Sequence, residues 1–257
     1  MIIPADICHE KEIVSLWHTA FGDKEEDVQR YLKTILKYFL IYEEGGIVKG
    51  MLSVLPVSLR EQKGGYIYAV VTHPDYRGQG ICNSLMEYLK SGESYDFLVL
   101  VPQNKGLFDF YKRMGFKKVS FLKKEEIKSF SGIKEEYAMN KLSPNEYEKA
   151  RNHFYKNCDF IKWDSQMLAF AKDMYNGDFY EILKGKGRIG YTFLYRENES
   201  VFIKELLCEN HREVAENIGA LIEAEKVNVA FENKESEPTF MVYPKTFANV
   251  KFGIYLD

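Results

Sequence analysis

The chain has 257 residues, 46% of them hydrophobic and 28% charged, with a formal net charge of −3. That is the make-up of a globular protein with room for one large or two ordinary domains. It excludes the basic surface of a nucleic-acid binder, and no run approaches the ~18 uninterrupted apolar residues of a membrane span. Cys8, Cys82, Cys158 and Cys208 form no C-x-x-C pair, and the five histidines form no H-E-x-x-H. The expectation is therefore a reduced, cytoplasmic protein with no metal and, from the first residues MIIPADICHEKEI, no signal peptide.

In chain order, Asp6 to Phe21 reads as a helix with Ile13, Leu16, Trp17 and Ala20 on one face and Gly22 as its stop. Asp23 is placed to cap a second helix in which Val28, Tyr31, Leu32, Ile35 and Leu36 recur at helical spacing. Tyr38 to Glu43 and Ile47 to Leu59 read as strands, and Gly64-Gly65 as a turn into a third strand, Tyr66 to Thr72. Pro74 and Asp75 break that strand. Arg77-Gly78-Gln79-Gly80 then opens a helix with Ile81, Leu85, Met86 and Leu89 on one face. Small residues at a helix mouth let a ligand approach N–H groups that have no internal partner, at the positive end of the dipole. Such a site suits a phosphate or pyrophosphate, and Arg77 adds a fixed positive charge. A turn that merely caps the helix is the plain alternative. The string is neither a Walker loop nor a complete G-x-G-x-x-G.

Tyr95 to Val101 is a short apolar run suited to a buried strand. A helix from about Lys105 to Met114 carries Leu107, Phe110, Tyr111 and Met114 on one stripe; Gly115 stops it, and Phe116 to Leu122 returns as a strand. Lys123 to Ser131 is charged, either a linker or a crossing strand. From Ser143 the pattern begins again. A helix opens with Pro144 inside a Ser143/Glu146 capping box, and another covers Ser165 to Tyr175. Strands follow at Phe179–Leu183, Ile189–Tyr195 and Val201–Leu207. A helix spans Val214 to Ala224, and strands Val227–Phe231, Phe240–Tyr243 and Val250–Leu256 complete the chain. Helix, helix, three strands, helix, strand is the order of the first half, so the chain reads as a diverged internal repeat, divided as 1–130 and 131–257.

The whole string V-x-x-x-P-x-Y-R-G-x-G-I, ending at Ile81, resembles the acetyl-CoA motif of the GNAT N-acetyltransferase superfamily. Its core is R/Q-x-x-G-x-G/A, and Cys82 departs from the last position. Asn104, followed by Tyr111 to Phe116 (Y-K-R-M-G-F), resembles the second signature of that family. With the repeat, the chain resembles tandem-GNAT proteins, including the two acetyltransferase-like domains of the enhanced-intracellular-survival family. The resemblance implies an α/β (α+β) fold of two tandem GNAT-like domains, each a mixed, mostly antiparallel sheet flanked by helices, the second degenerate.

It also implies an acetyl-CoA-dependent N-acetyltransferase that acts on a primary amine by direct attack in a ternary complex. Val70, Val71 and Thr72 would pair with the pantetheine arm. N–H groups of Gly78, Gln79, Gly80, Ile81, Cys82 and Asn83 would hold the pyrophosphate beside Arg77. Asn104 would touch the pantetheine region, and Tyr111 would be the catalytic acid near sulfur. Each residue has a plainer reading: Tyr111 in the core, Asn104 as a helix cap, Arg77 on the surface, Cys82 as packing. His73 as a base is a further candidate. Tyr66 to Thr72 offers no carboxylate base; the resemblance to the enhanced-intracellular-survival family offers the free C-terminal carboxylate of Asp257 as one, and water relays are the alternative. The partners expected are a small-molecule or peptide amine and, in dimer form, a second copy of the chain, with neither nucleic acid nor membrane. A non-catalytic acyl-CoA-binding or sensing protein and a scaffold with a vestigial first domain are the competing functions. Laying the halves on each other puts Glu213 at Arg77, Val214 at Gly78 and Glu216 at Gly80, which predicts one cofactor per chain.

Overall fold

The structure, a computed structural model, describes residues 1–128, 136–232, 238–244 and 250–256. Its elements are β1 (Ile2–Pro4), α1 (Glu10–Phe21), α2 (Glu25–Ile35), β2 (Phe39–Glu44), β3 (Ile47–Leu59), β4 (Gln62–Thr72), α3 (Ile81–Ser91), β5 (Phe97–Leu100) and α4 (Lys105–Arg113). They continue with β6 (Lys117–Lys128), β7 (Tyr137–Leu142), α5 (Pro144–Phe154), α6 (Ser165–Tyr175), β8 (Asp178–Lys184), β9 (Gly187–Glu197), β10 (Ser200–Leu207), α7 (His211–Leu221), β11 (Lys226–Glu232) and β12 (Pro238–Tyr243). The chain forms two compact units, Met1–Lys118 with Met241–Thr246, and Val119–Phe240 with Phe247–Asp257. The contacts thus divide the chain at Lys118 rather than near residue 130. A short stretch of late sequence joins the first unit.

In the first unit the strand order is β1-β2-β3-β4-β5-β12. Among the described residues only the β4–β5 pair is parallel, as expected of a mixed, mostly antiparallel sheet. One face packs under α3 and α4 through Leu52, Val54, Ile67, Ile81, Leu85, Met86, Tyr111 and Phe116. α1 buries Ile13, Val14, Leu16 and Trp17 and ends at Gly22, whose φ of 80° is the left-handed stop that glycine tolerates. The helix opens later than its sequence suggests, after a 3-10 turn over Ile7–His9. Asp23 does not cap α2: Lys24 holds that position without a side-chain bond. The Asp23 carboxylate instead accepts the indole N–H of buried Trp17 at 2.7 Å, since a desolvated indole needs an acceptor.

Gly64 and Gly65 lie inside β4 rather than in a turn. The reason is close approach across the sheet. A Cβ on Gly64 would stand 2.1 Å from the Phe97 ring, and one on Gly65 2.4 Å from Val54. Further along, β4 carries a bulge at Ala69 (φ 52°), where the register with β3 shifts between Met51 and Ser53.

The second unit repeats this plan in the order β7-β8-β9-β10-β11-β6, again with one parallel strand pair among the described residues, β10–β11. The charged run from Lys123 is therefore a strand as far as Lys128, paired with β11; residues 129–135 lie outside the described residues. α5 opens with the expected capping box, in which Ser143 and Glu146 exchange bonds. The final stretch, expected as a strand over Val250–Leu256, makes only an isolated bridge, Lys251 with Phe160. Gly253, at φ 63°, turns it out of the extended region. Its side chains at Phe252, Ile254, Tyr255 and Leu256 are nevertheless buried.

That turn crosses a buried ion pair. Arg151 donates through Nε to Glu205 at 2.9 Å and through Nη1 to the Ile161 carbonyl at 2.8 Å, and Tyr147 donates its hydroxyl to Glu205 at 2.9 Å. A Cβ at Gly253 would fall 2.1 Å from Glu205 Oε1 and 2.3 Å from Arg151 Nη2, so only glycine fits. Removing one partner of such a pair strands a desolvated charge. Arg151→Ala is expected to cost about 3–5 kcal/mol of stability, measured by urea unfolding. Wild-type stability would mean that Glu205 finds another partner.

Candidate active site

The site grows from the edge of β4. Its pairing with β5 covers only Gly64–Tyr66 against Phe97–Val99. Beyond Tyr66 the two strands part, so among the described residues Val71 and Thr72 pair on the β3 side alone, with Met51 and Gly50, while Val70 lies at the bulge. The β5-facing edge there offers backbone groups to a ligand lying along the strand. Parallel pairing followed by separation is a tertiary fact, invisible in the local sequence.

The loop after β4 leads straight to a helix mouth. Pro74–Tyr76 makes a 3-10 turn capped by His73, whose Nδ1 accepts the Asp75 N–H at 3.3 Å. This bond occupies the nitrogen that a base would use. Arg77 is exposed and its Nε donates to the Thr72 carbonyl at 3.4 Å, which ties the loop back to the strand end. Gly78 and Gly80 have φ of 78° and 76°, and a Cβ on either would meet nothing within 4 Å. Conformation, not crowding, demands glycine here. Gly80 caps α3 without a side chain, and the first ladder bond runs from Ser84 N–H to its carbonyl at 2.9 Å. The N–H groups of Ile81, Cys82 and Asn83 lie ahead of that bond, at the positive end of the helix. Gln79 and Asn83 are exposed, whereas Ile81 is buried.

Cys82 and Tyr111 meet across α3 and α4. Burial pushes the Cys82 thiol up to about 11, and packing holds it as a small apolar group against the same core as Tyr111. Burial first, and then proximity to Cys82, raise the Tyr111 hydroxyl above its ordinary value. Tyr111 is 6% exposed and stacks edge-on with Phe110 and Phe116. It is thus a core tyrosine that keeps its proton and lies near Cys82 in the first turn of α3. Asn104 caps α4, its Oδ1 accepting the Leu107 N–H at 3.1 Å. The capping role is present, and the NH2 group remains as a donor. That Cys82 neighbours Tyr111 is not readable from the sequence.

Residues 35–118 match the family described as Acetyltransferase (GNAT) domain. This segment is similar to a GNAT domain. It contains β2 to β5 and both helices of the site, and the family is one of acyl transferases that use acetyl-CoA. An acetyltransferase of Sodalis glossinidius is 32% identical over 85 residues, which are 31% of this chain and 57% of that protein. The match thus spans little more than half of the relative's length. Among solved structures, a GCN5-related N-acetyltransferase from Anabaena variabilis superposes with a TM-score of 0.71 at 16% identity, over 94% of this chain and 72% of that one. A tandem GNAT protein from the clavulanic acid biosynthesis pathway gives 0.59 at 14% identity, over 96% and 99%. These likenesses establish the fold: two GNAT-like domains in tandem.

The second domain departs from the first at the site. β10 ends at Leu207 and α7 begins at His211, so three residues replace the eight between Thr72 and Ile81. The residue-by-residue overlay of the halves fails in that loop. Glu213 and Glu216 lie inside α7 and do not stand in for Arg77 and Gly80. The phosphate-type loop is deleted rather than recharged. Glu213, in the first turn, accepts from Tyr137 at 2.9 Å and from Lys184 at 3.1 Å, and Glu216 is held by Arg212 at 3.2 Å. A cavity of about 470 Å³ remains beside this helix, walled by Tyr137, Lys184, Arg188 and Glu213. Among the described residues α4 has no counterpart in this unit, so neither Asn104 nor Tyr111 has an equivalent. Asp257 lies outside the described residues. Among the described residues no helix is long and apolar enough to cross a membrane.

Proposed function

We propose that the first domain binds acetyl-CoA along the free edge of β4 and transfers its acetyl group to a primary amine. The observation that carries this reading is the parting of β4 from β5 beside a helix mouth built from Arg77, Gly78 and Gly80. A thioester supplies an activated acyl group. The chain must hold it, polarise its carbonyl and return a proton to the departing thiolate. In this reading Val70 to Thr72 pair with the pantetheine arm, and the N–H groups from Gly78 to Asn83 take the pyrophosphate with Arg77. Asn104 donates to the arm through its NH2 group. Tyr111 delivers the proton to sulfur. Its burial supports that role, because a phenol kept protonated is the form an acid needs.

A second reading is supported by the lack of a carboxylate on β4, where Tyr66 and Tyr68 occupy the strand: the domain binds an acyl-CoA without turning it over. Release of free CoA in the presence of a panel of amines separates the two. Amine-dependent release is the expected result; tight binding with no release from any amine favours the second.

The deleted loop and the missing α4 of the second domain support a single cofactor site. Titration calorimetry on the whole chain is expected to give one CoA per chain. A stoichiometry near two would mean that the second domain binds CoA by other groups.

A further inference from the structure

Between β1 and α1 the chain turns through Asp6, Ile7, Cys8 and His9. Asp6 caps this turn in an extended conformation, its carboxylate accepting the Cys8 N–H at 2.9 Å. The turn gathers three chemically different donors. Cys8 Sγ lies 2.6 Å from Asp6 Oδ1, His9 Nδ1 lies 3.0 Å from the same oxygen, and Sγ and Nδ1 are 3.9 Å apart. A zinc ion takes carboxylate oxygen, thiolate sulfur and imidazole nitrogen at roughly 2.0–2.3 Å, so tetrahedral neighbours stand about 3.3–3.6 Å from one another. The three separations straddle that range, and sub-ångström shifts of side chains on one turn would meet it.

We infer that Asp6, Cys8 and His9 bind one divalent cation of the zinc type, with an open fourth position for water. Two features beyond proximity point the same way. His9 Nδ1 accepts the Asp6 N–H at 3.1 Å, so that nitrogen is unprotonated, and an ion takes its lone pair by displacing this one backbone bond. Its other nitrogen, Nε2, lies 3.9 Å from the Glu43 carboxylate. That separation is in ion-pair range but beyond a hydrogen bond; brought to about 3 Å, a carboxylate behind the far nitrogen fixes the tautomer and raises the basicity of a ligating histidine. The His9 side chain is only 15% exposed, whereas Asp6 and Cys8 face solvent. An ion can therefore enter from outside onto a held imidazole.

Binding replaces the thiol proton, which leaves to solvent, and breaks both the Sγ–H···Oδ1 bond and the Asp6 N–H···Nδ1 bond, whose N–H turns to solvent; the two anionic ligands then balance the dication. The donor set (one oxygen, one sulfur, one nitrogen) suits zinc or cobalt better than calcium or magnesium. This departs from the expectation of no metal. Cys8 and His9 are adjacent, so neither C-x-x-C nor H-E-x-x-H spacing marks them.

The test uses the full chain, stripped with chelator and titrated with Co²⁺. The expected result is one Co²⁺ per chain with a thiolate-to-cobalt charge-transfer band that Zn²⁺ abolishes by displacement. The band is absent in Cys8→Ser and unchanged in Cys158→Ser, which removes another exposed cysteine. Glu43→Gln is expected to weaken affinity about 10–100-fold. In parallel, one equivalent of Zn²⁺ should slow alkylation of Cys8 in the wild-type chain, read by peptide mass. This arm stands even if a variant fails to fold. No charge-transfer band in the wild type, a band that survives Cys8→Ser, or alkylation of Cys8 at an unchanged rate would each overturn the assignment.

Discussion

Tyr111→Phe is expected to lower turnover by about 10²–10⁴-fold, the usual contribution of a positioned acid, while CoA affinity stays within a few fold. The substitution keeps the ring, and with it the edge-on packing against Phe110 and Phe116. It removes only the hydroxyl, whose proton burial retains. Loss of turnover without loss of binding therefore isolates proton delivery from packing. Steady-state kinetics with a reactive amine, set beside titration calorimetry for CoA, supplies both readings. Wild-type turnover in Tyr111→Phe would make Tyr111 a core residue alone.

Gly80→Glu is expected to abolish CoA binding, with affinity down by about 10²-fold or more, since like charges brought together cost several kcal/mol. The fold should survive. A Cβ at this position meets no atom within 4 Å, so the side chain points into open space, and the strain of a left-handed φ is roughly 1–2 kcal/mol. Gly80→Ala carries the same backbone strain without the charge, and should keep most of the affinity. Circular dichroism confirms folding in both variants. A folded Gly80→Glu chain that binds CoA as the wild type does would remove α3 from the cofactor site.

Much of the fold was legible because its signals are local. The apolar stripe Ile81, Leu85, Met86 and Leu89, the left-handed stop at Gly22 and the Ser143/Glu146 box each depend on residues within a turn or two of one another. Arg77 to Gly80 could be read as a helix mouth for the same reason. Errors arose where a neighbour far along the chain overrides local preference. Gly64 and Gly65 look like a turn but are strand, since only glycine admits the Phe97 ring and Val54. Asp23 is a different case: its partner, the Trp17 indole, is six residues away, and the burial of that indole, not its distance along the chain, takes the carboxylate from the cap.

By itself, then, the sequence determined the helices, most of the strands and the repeat, which follow from periodicity and turn chemistry at short range, but neither β1 nor β7. Only the tertiary structure decided that β4 parts from β5 after Tyr66, that Cys82 lies against Tyr111, and that Met241–Tyr243 returns to pair with β5. It alone showed that three residues replace the loop of the second domain, because helix starts are set by where the chain must leave its strand. Strand pairing and side-chain adjacency are contacts between residues distant in sequence. Their free energy comes from burial against partners that no local window contains.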